Sequence, residues 1–340
     1  MRMRSPLRMT CVLSATLGVG AIATGGTAAA AAWKEPPSGV QQWYWQIGTA
    51  EPGLGGLPPV SGRYPRPGAA RIWDADLFYD SNRPHAQIPT GPSPVVRALH
   101  AAGKYSVCYL EAGAQQTSFP DRRNFAPADY GRYAKRYQMR GYPNEWWFDL
   151  SGFKRYRAGR ASTLHGAAVN IAAGLGKRIH WCALEGQDAI EPDDLDGYTN
   201  RGATGVKGGG WRLTRADSLG FERWLAYTAH HDGLAIFQKN DPANAGIDAR
   251  TFDGMIIEEC NRYHDPCAGR VGDATPYLRR GKPVLNAEYV QDGERTRRFC
   301  AADIAAGISG ALFSVNLNNA RNYRPCAPSG SGSPLTQPLG

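Results

Sequence analysis

The stretch F-E-R-W-L-A-Y-T-A-H-H-D-G-L-A-I-F-Q-K-N, residues 221–240, contains a helix, its end and a strand in direct succession. Its first half has the spacing of an amphipathic helix, and Gly233 favours the left-handed turn that ends one. Residues 234–239 begin with apolar side chains and end at the polar residue Lys239, which Asn240 follows. A buried strand that directly follows a helix is typical of βα units around a parallel sheet.

The same alternation runs along the chain and predicts nine strands. They cover residues 40–48, 71–78, 106–112, 146–150, 189–193, 234–239, 254–259, 284–289 and 311–316. The predicted helices cover residues 95–102, 163–174, 221–231 and 296–306. Because a (β/α)8 TIM barrel has eight strands, one is surplus, and we expect it to be the first or the last. The predicted fold is therefore α/β, a single (β/α)8 barrel, with a doubly wound open sheet as the alternative.

The two ends of the chain differ in composition from the rest. Residues 1–32 combine a basic start, a short apolar middle and an alanine tract, which predicts a secretory signal peptide. This apolar run is too short and too glycine-rich for a membrane span, so we expect a secreted, extracellular protein. Residues 33–326 form the predicted barrel domain, and residues 327–340 are a Pro/Gly/Ser-rich tail that we expect to be disordered.

The cysteine count agrees with export. Without residues 1–32 the chain keeps an even number of cysteines, which in a secreted protein favours disulfides. They are Cys108, Cys182, Cys260, Cys267, Cys300 and Cys326. Cys260 and Cys267 could close a short loop and Cys300 could pair with Cys326, which leaves Cys108 with Cys182, although other pairings stay open.

The formal net charge of +9 is spread along the chain, so we expect no nucleic-acid partner. The chain has no zinc-protease, Walker A, nucleophile-elbow or dinucleotide-binding motif, and D-D-L-D at residues 193–196 does not fit a calcium loop. We therefore expect neither a metal nor a cofactor, and we expect a monomer.

Polar side chains stand where nearly every predicted strand ends. They are Asp74, Asp76, Tyr109, Glu111, Asp149, Glu191, Asp193, Lys239, Asn240, Glu258, Glu259, Glu288 and Tyr289. Carboxyl ends of barrel strands meet at one face, where functional groups collect. Converging carboxylates predict hydrolysis of a glycosidic bond, in which one acid protonates the leaving oxygen and another attacks the sugar or activates water. Tryptophans such as Trp45 and Trp146 could stack on sugars or pack in the core.

Eight motifs in this order resemble the endo-α-1,4-polygalactosaminidase family, glycoside hydrolase family 114. They are W-Y-W-Q-I, W-D-A-D-L-F, G-K-Y-S-V-C-Y-L-E-A-G, W-W-F-D-L, A-I-E-P-D-D-L-D-G-Y, H-D-G-L-A-I-F-Q-K-N, E-E-C-N-R-Y and G-K-P-V-L-N-A-E-Y, between residues 43 and 289. The resemblance implies a barrel that hydrolyses α-1,4-linked galactosamine or N-acetylgalactosamine polysaccharide without a cofactor. A barrel that binds carbohydrate without cleaving it, and a hydrolase of another glycan, are the alternatives.

The resemblance also implies roles for individual residues. Asp193 and Glu258 match the family's two catalytic carboxylates, and a retaining mechanism with Asp193 as nucleophile and Glu258 as acid/base is our hypothesis. The implied sugar-binding residues are Asp76, Tyr109, Asp149, Glu191, Lys239, Asn240 and Glu288. Asp194 and Glu259 depart from the family's Asn and Gln, and we expect strand alternation to turn them away from the cleft. Otherwise their charges would raise the pKa of the catalytic pair.

Overall fold

A computed structural model describes residues 32–47, 69–78, 88–263, 267, 272–317 and 322–327. Except for Ala32 and Ala327, the predicted signal peptide and the predicted C-terminal tail lie outside the described residues. Within the described ranges, every helix is too short or too polar to cross a membrane.

The strands and helices alternate through most of the chain. The strands are β1 (Trp43–Gln46), β2 (Ile72–Asp76), β3 (Tyr105–Glu111), β4 (Ala114–Gln116), β5 (Glu145–Trp147), β6 (Ala189–Asp193), β7 (Ala235–Lys239), β8 (Gly254–Glu258), β9 (Val284–Tyr289), β10 (Ser309–Phe313) and β11 (Arg324–Pro325). The α-helices are α1 (Pro94–Ala101), α2 (Ala167–Glu185), α3 (Arg215–His231), α4 (Ala245–Asp248), α5 (Cys260–Tyr263), α6 (Thr275–Leu278) and α7 (Thr296–Ala306).

One sheet forms a nearly closed barrel. Its order is β1-β2-β3-β6-β7-β8-β9-β10-β11, and every pairing is parallel except that of β11 with β10. The first and last parallel strands, β1 and β10, lie close together at their ends. The Ile47 N–H, just after β1, donates to the Leu317 carbonyl over 3.1 Å. The Trp43 and Phe313 rings also meet, at 5.1 Å between centroids. These contacts confirm the predicted (β/α)8 fold.

The surplus strand is not the one that we expected. β1 and β10 both belong to the barrel, whereas the predicted strand 146–150 corresponds to β5, which pairs antiparallel with β4 in a separate hairpin. Its aromatic sequence E-W-W resembles a buried barrel strand, but its partner is a local segment of the long β3–α2 connection. Local composition does not distinguish these two kinds of burial.

Helix α2 is longer than predicted. It continues to Glu185 through Gly174, the residue at which the sequence predicts its end. A Cβ on Gly174 would lie 2.4 Å from the Phe125 ring, so this glycine allows close packing of the helix rather than ending it. The ends predicted at Gly103, Gly233 and Gly281 are confirmed by their positive φ angles of 69°, 77° and 67°.

Alternation along each strand separates two cores. On β7, Ala235 and Phe237 face the barrel interior with residues of the other strands. Ile236 lies between them and belongs to the core that the helices cover. Because successive strand residues point to opposite faces, the next inward position on β7 is Lys239 at the carboxyl end.

Three disulfides connect the elements, in the pairs that the sequence favours. Cys108 of β3 is bonded to Cys182 of α2, 74 residues away in sequence. Cys260 is bonded to Cys267, only 7 residues away, and Cys300 of α7 to Cys326.

We expect the Cys108–Cys182 bond to contribute most to stability, because it closes the longest loop in the unfolded chain. The loop-entropy model gives about 4 kcal/mol for this bond and about 2.5 kcal/mol for Cys260–Cys267. Denaturant unfolding of Cys108→Ala/Cys182→Ala and the matched Cys260→Ala/Cys267→Ala variant measures both losses. Equal losses in the two variants would contradict the loop-length explanation.

Candidate active site

Inward-facing residues near the ends of five strands meet at the carboxyl end of the barrel. They are Tyr109 of β3, Asp193 of β6, Lys239 of β7, Glu258 of β8 and Tyr289 of β9. The strand that supplies each residue is already packed in the barrel, so the backbone alone positions these side chains.

Lys239 lies at the centre of this group. Its Nζ is 2.9 Å from Asp193 Oδ1, 2.9 Å from Glu258 Oε2 and 3.8 Å from Glu191 Oε1. The same atom lies 4.8 Å from the centre of the Trp45 ring. Burial lowers the pKa of Lys239, but the charges of its three carboxylate neighbours outweigh burial and hold the pKa well above its usual range.

Asp193 is held in its ionised form. Burial raises the pKa of its carboxyl, but Lys239 and further donors outweigh burial and lower it. The Tyr109 hydroxyl donates to Asp193 Oδ2 over 2.8 Å, and the Asp194 N–H donates to Asp193 Oδ1 over 2.8 Å. Asp193 is therefore a carboxylate with its negative charge stabilised and 19% of its side chain still open to solvent.

Glu258 has a complementary set of contacts. Besides Lys239, the Asn240 side-chain amide donates to Oε2 over 2.9 Å, and the Tyr289 hydroxyl donates to Oε1. Asn240 also accepts from the Glu258 backbone N–H at 2.9 Å, so the amide fixes the end of β8 as well as its carboxylate. The Glu258 side chain is 27% exposed.

Below these residues lies a second pair of carboxyls, Asp74 of β2 and Glu191 of β6, both 0% exposed. Burial raises the pKa of Asp74 to about 7 and that of Glu191 well above its usual range. The two side chains influence each other, since the charge of Asp74 contributes to the raised pKa of Glu191. Lys239 partly opposes the effect of burial on both.

Beside Asp193, three further carboxyls lie close enough together to hold a cation, and no other such group is found among the described residues. They are Glu111, Glu145 and Asp194. Burial is the largest cause that raises the pKa of each, and a hydrogen bond joins Glu111 to Asp194. A proton shared by Glu111 and Asp194 would reduce the repulsion between these two carboxyls without an ion.

The two acidic neighbours of the catalytic pair have other partners. Asp194 is hydrogen-bonded to Glu111, and Glu259 accepts from Arg262 over 2.7 Å. Both residues follow the strand end in the left-handed region, with φ of 61° and 51°. This turn, rather than strand alternation, separates their side chains from those of Asp193 and Glu258, because both residues lie beyond the last strand position.

The structure brings most of the predicted sugar-binding residues to this face. Tyr109, Lys239 and Asn240 contact Asp193 or Glu258 directly, and Glu191 lies below Lys239. Asp76 is the last residue of β2, and its Oδ1 accepts from the Phe78 N–H over 2.8 Å. Burial raises the pKa of Asp76 to about 6.

Two predicted residues do not join this group. Glu288 is adjacent in sequence to the inward-facing Tyr289 and therefore faces outward, where it accepts hydrogen bonds from Asn261 and Asn286. It is placed to brace α5 rather than to contact a sugar. Asp149 accepts from the Ser151 N–H, and no hydrogen bond within the described part of the chain joins it to Asp193 or Glu258.

Sequence reasoning missed the roles of Tyr289 and Trp45. Tyr289 ends a predicted strand, but only its register shows that it, and not Glu288, reaches Glu258. Trp45 is 1% exposed and lines the floor of the site under Lys239, so it packs in the core and also contacts the buried cation. Most of the other tryptophans that the sequence offered as sugar platforms are buried, among them Trp43, Trp73 and Trp147.

Comparisons with known proteins give a consistent result. The profile of glycoside-hydrolase family GH114 matches residues 23–328. The structure resembles Aspergillus fumigatus Ega3 in complex with galactosamine, with a TM-score of 0.63 and 24% identity over 88% of this chain and 100% of that chain. It also resembles a variant of the PelA glycoside hydrolase domain from Pseudomonas aeruginosa, with a TM-score of 0.50 and 16% identity over 83% and 97%. No curated protein sequence matches the chain.

We expect the protein to be more stable at pH 5 than at pH 8. Glu222 and Asp241 show the reason, because burial, and then the charge of Asp248 on Glu222 and of Glu222 on Asp241, raise the pKa of each to about 8. In the unfolded chain these carboxyls lose their protons near pH 4. The stability that their protons contribute is therefore complete below pH 4 and is lost as the pH rises towards 8.

Thermal unfolding at pH 5, 6, 7 and 8 measures this trend. Glu222→Gln removes one titrating group of the pair and should make the fall in Tm with pH less steep. A Tm that stays constant or rises over this range would contradict the assignment of buried, protonated carboxyls.

Proposed function

The chain belongs to glycoside-hydrolase family GH114 and is a glycosidase, and from this we propose that it is a secreted endo-hydrolase of α-1,4-linked galactosamine polysaccharide. One observation carries the proposal: the carboxylates Asp193 and Glu258 share the ammonium group of Lys239 at the carboxyl end of the barrel. Two carboxylates that flank a bound sugar are the chemical requirement of glycoside hydrolysis.

The spacing of the two carboxylates supports retention of configuration. Because Lys239 Nζ lies 2.9 Å from an oxygen of each, these two oxygens are at most twice that distance apart. Carboxyl groups are about 5–5.5 Å apart in retaining enzymes and about 6.5–9.5 Å apart in inverting ones. The wider spacing leaves room for a water molecule that attacks the sugar directly.

The contacts also support a division of roles. Asp193, whose pKa is lowered, is the proposed nucleophile that attacks the anomeric carbon, while Glu258 gives its proton to the leaving glycosidic oxygen. In the second step Glu258 takes a proton from water, the water oxygen attacks the anomeric carbon, and the bond to Asp193 breaks. Tyr109 and Lys239, which donate to Asp193, stabilise its charge when it leaves.

The charge of the cleft supports an amino-sugar substrate. Glu111, Glu145 and Asp194 lie together beside Asp193. Their ionised forms create a local negative potential, although the net charge of the chain is positive. A deacetylated galactosamine polymer carries ammonium groups that such a cleft attracts. The Ega3 structure contains galactosamine, which is consistent with this class of substrate. Disulfides and the predicted signal peptide support an extracellular site of action.

Tyr142 is the proposed aromatic platform for a sugar ring. It is 58% exposed and belongs to a turn in which the Glu145 N–H donates to the Tyr142 carbonyl over 3.2 Å. Burial, and then the charges of Glu145 and Glu258, raise the pKa of its hydroxyl, so it lies within electrostatic reach of the catalytic group. Asp76 and Asn240 are the proposed polar contacts to the sugar.

We expect the mature protein to release short oligosaccharides from partly deacetylated α-1,4-galactosamine polymer. Asp193→Asn and Glu258→Gln should each lower kcat by at least about 10³-fold, because each removes one of the two carboxylates that the reaction needs. Mass spectrometry detects the products, and proton NMR of the first anomer formed identifies retention or inversion.

Glu294→Gln is the matched control, because it replaces a carboxylate whose ion-pair partner is the exposed Arg298, 3.9 Å away, and not a group of the active site. It should leave kcat unchanged. Robust turnover by Glu258→Gln would remove Glu258 from the mechanism. Hydrolysis of a different polymer, with none of galactosamine polymer, would replace the proposed substrate and keep the chemistry.

We expect Tyr142→Ala to raise KM for long oligomers about fivefold with a smaller change in kcat, because a stacking contact of about 1 kcal/mol binds the substrate and its transition state alike. Tyr142→Phe keeps the ring and should keep KM. Tyr133→Ala is the control, since Tyr133 is 77% exposed and stacks with Arg132 instead. An unchanged KM in Tyr142→Ala would rule out the platform.

A further inference from the structure

The buried carboxyls Asp74 and Glu191 are unusual in their lack of donors. Both are 0% exposed, and no nitrogen or hydroxyl group in the described part of the chain donates to any of their four oxygens. Buried carboxylates normally accept several hydrogen bonds, because loss of water is costly for the charged form. Two neighbouring carboxyls that are fully buried and lack donors repel each other when both are ionised, which favours a proton on one of them.

This pair lies directly below the ammonium group of the active site. Lys239 Nζ is 3.8 Å from Glu191 Oε1 and 2.9 Å from each catalytic carboxylate. The ammonium is therefore attracted upward by Asp193 and Glu258 and downward by the pair. Its position depends on how much negative charge the pair carries.

We propose that Asp74 and Glu191 share one proton and act as positioning residues that hold the Lys239 ammonium between Asp193 and Glu258. This assignment rests on the proposed hydrolase function of the site. With one proton the pair has a single negative charge, which balances the attraction from above. Without that proton it has two, and Lys239 is drawn down towards Glu191 and away from the catalytic carboxylates.

Charged and titratable groups face the pair from several strands of the barrel. They are Asp76 of β2, Asp193 of β6, Lys239 of β7, Glu258 of β8 and Tyr289 of β9. The carboxylates among them favour retention of the shared proton, whereas Lys239 favours its loss. Burial is the largest cause for both groups and raises the pKa of Asp74 to about 7 and that of Glu191 well above its usual range, so the pair keeps at least one proton up to about neutral pH.

When the pair loses its shared proton at alkaline pH, we expect hydrolase activity to fall. Asp74→Asn tests it, because the new amide can donate to Glu191 and leaves one negative charge in the pair at every pH. We expect the alkaline limb of the kcat profile to move up by about one pH unit or more, with KM nearly unchanged. At a pH above the wild-type limb, the variant should then be about tenfold more active than the wild type.

Two further variants separate positioning from folding. Glu191→Gln leaves the single charge on Asp74 and should shift the limb in the same direction. Asp74→Ala removes the donor and should lower kcat, whereas Asp74→Asn restores it. Glu222→Gln is the matched control, because it alters another buried carboxyl pair, with Asp241, that does not contact Lys239. Its alkaline limb should coincide with that of the wild type.

A measurement without substrate tests the proposal independently of turnover. In protein labelled with 15N-lysine, the Nζ signal of Lys239, assigned with Lys239→Arg, should shift near neutral pH in the wild type and not in Asp74→Asn. A wild-type signal that does not shift, or an alkaline limb that Asp74→Asn leaves in place, would overturn the proposal. A shift in protein that hydrolyses no polymer would support the proton-sharing pair and reject the proposed function.

Discussion

The ammonium group of Lys239 is buried among carboxylates, and the arrangement of the active site depends on it. Removing a charged amine from water costs several kcal/mol unless nearby anions compensate. Here Asp193, Glu258 and Glu191 supply those anions, and in return the cation allows the three carboxylates to approach one another. Without it, repulsion would favour a proton on Asp193, whose lowered pKa keeps it ionised.

The barrel positions this group because side chains along each strand point alternately inward and outward. Each contributing side chain occupies an inward-facing position near the carboxyl end of its strand, so a shift by one residue would turn it to the outer core. Glu288 and Tyr289 illustrate the difference, since the first braces α5 and the second reaches Glu258. Directly after β6 and β8, residues in the left-handed conformation turn Asp194 and Glu259 to other partners.

Paired buried carboxyls are a recurring feature around this site. Asp74 interacts with Glu191 and Asp194 with Glu111, and burial raises the pKa of each of these four groups. A protonated pair carries half the charge of two ions, so the fold can concentrate acids without an equal number of cations. The negative charge of the cleft, which attracts ammonium groups on a substrate, increases as the pH rises past these raised pKa values.

The sequence by itself determined the alternation of strands and helices and the presence of Asp193, Lys239 and Glu258 at strand ends, because these features depend on local pattern. It favoured the three cysteine pairs but left other pairings open. It could not identify the surplus strand, since E-W-W at residues 145–147 is as apolar as a barrel strand and only its partner differs. Nor could it show which of two adjacent polar residues faces the cleft, or that Asp74 and Glu191 meet. Those outcomes follow from register and barrel closure, which bring together residues more than a hundred positions apart.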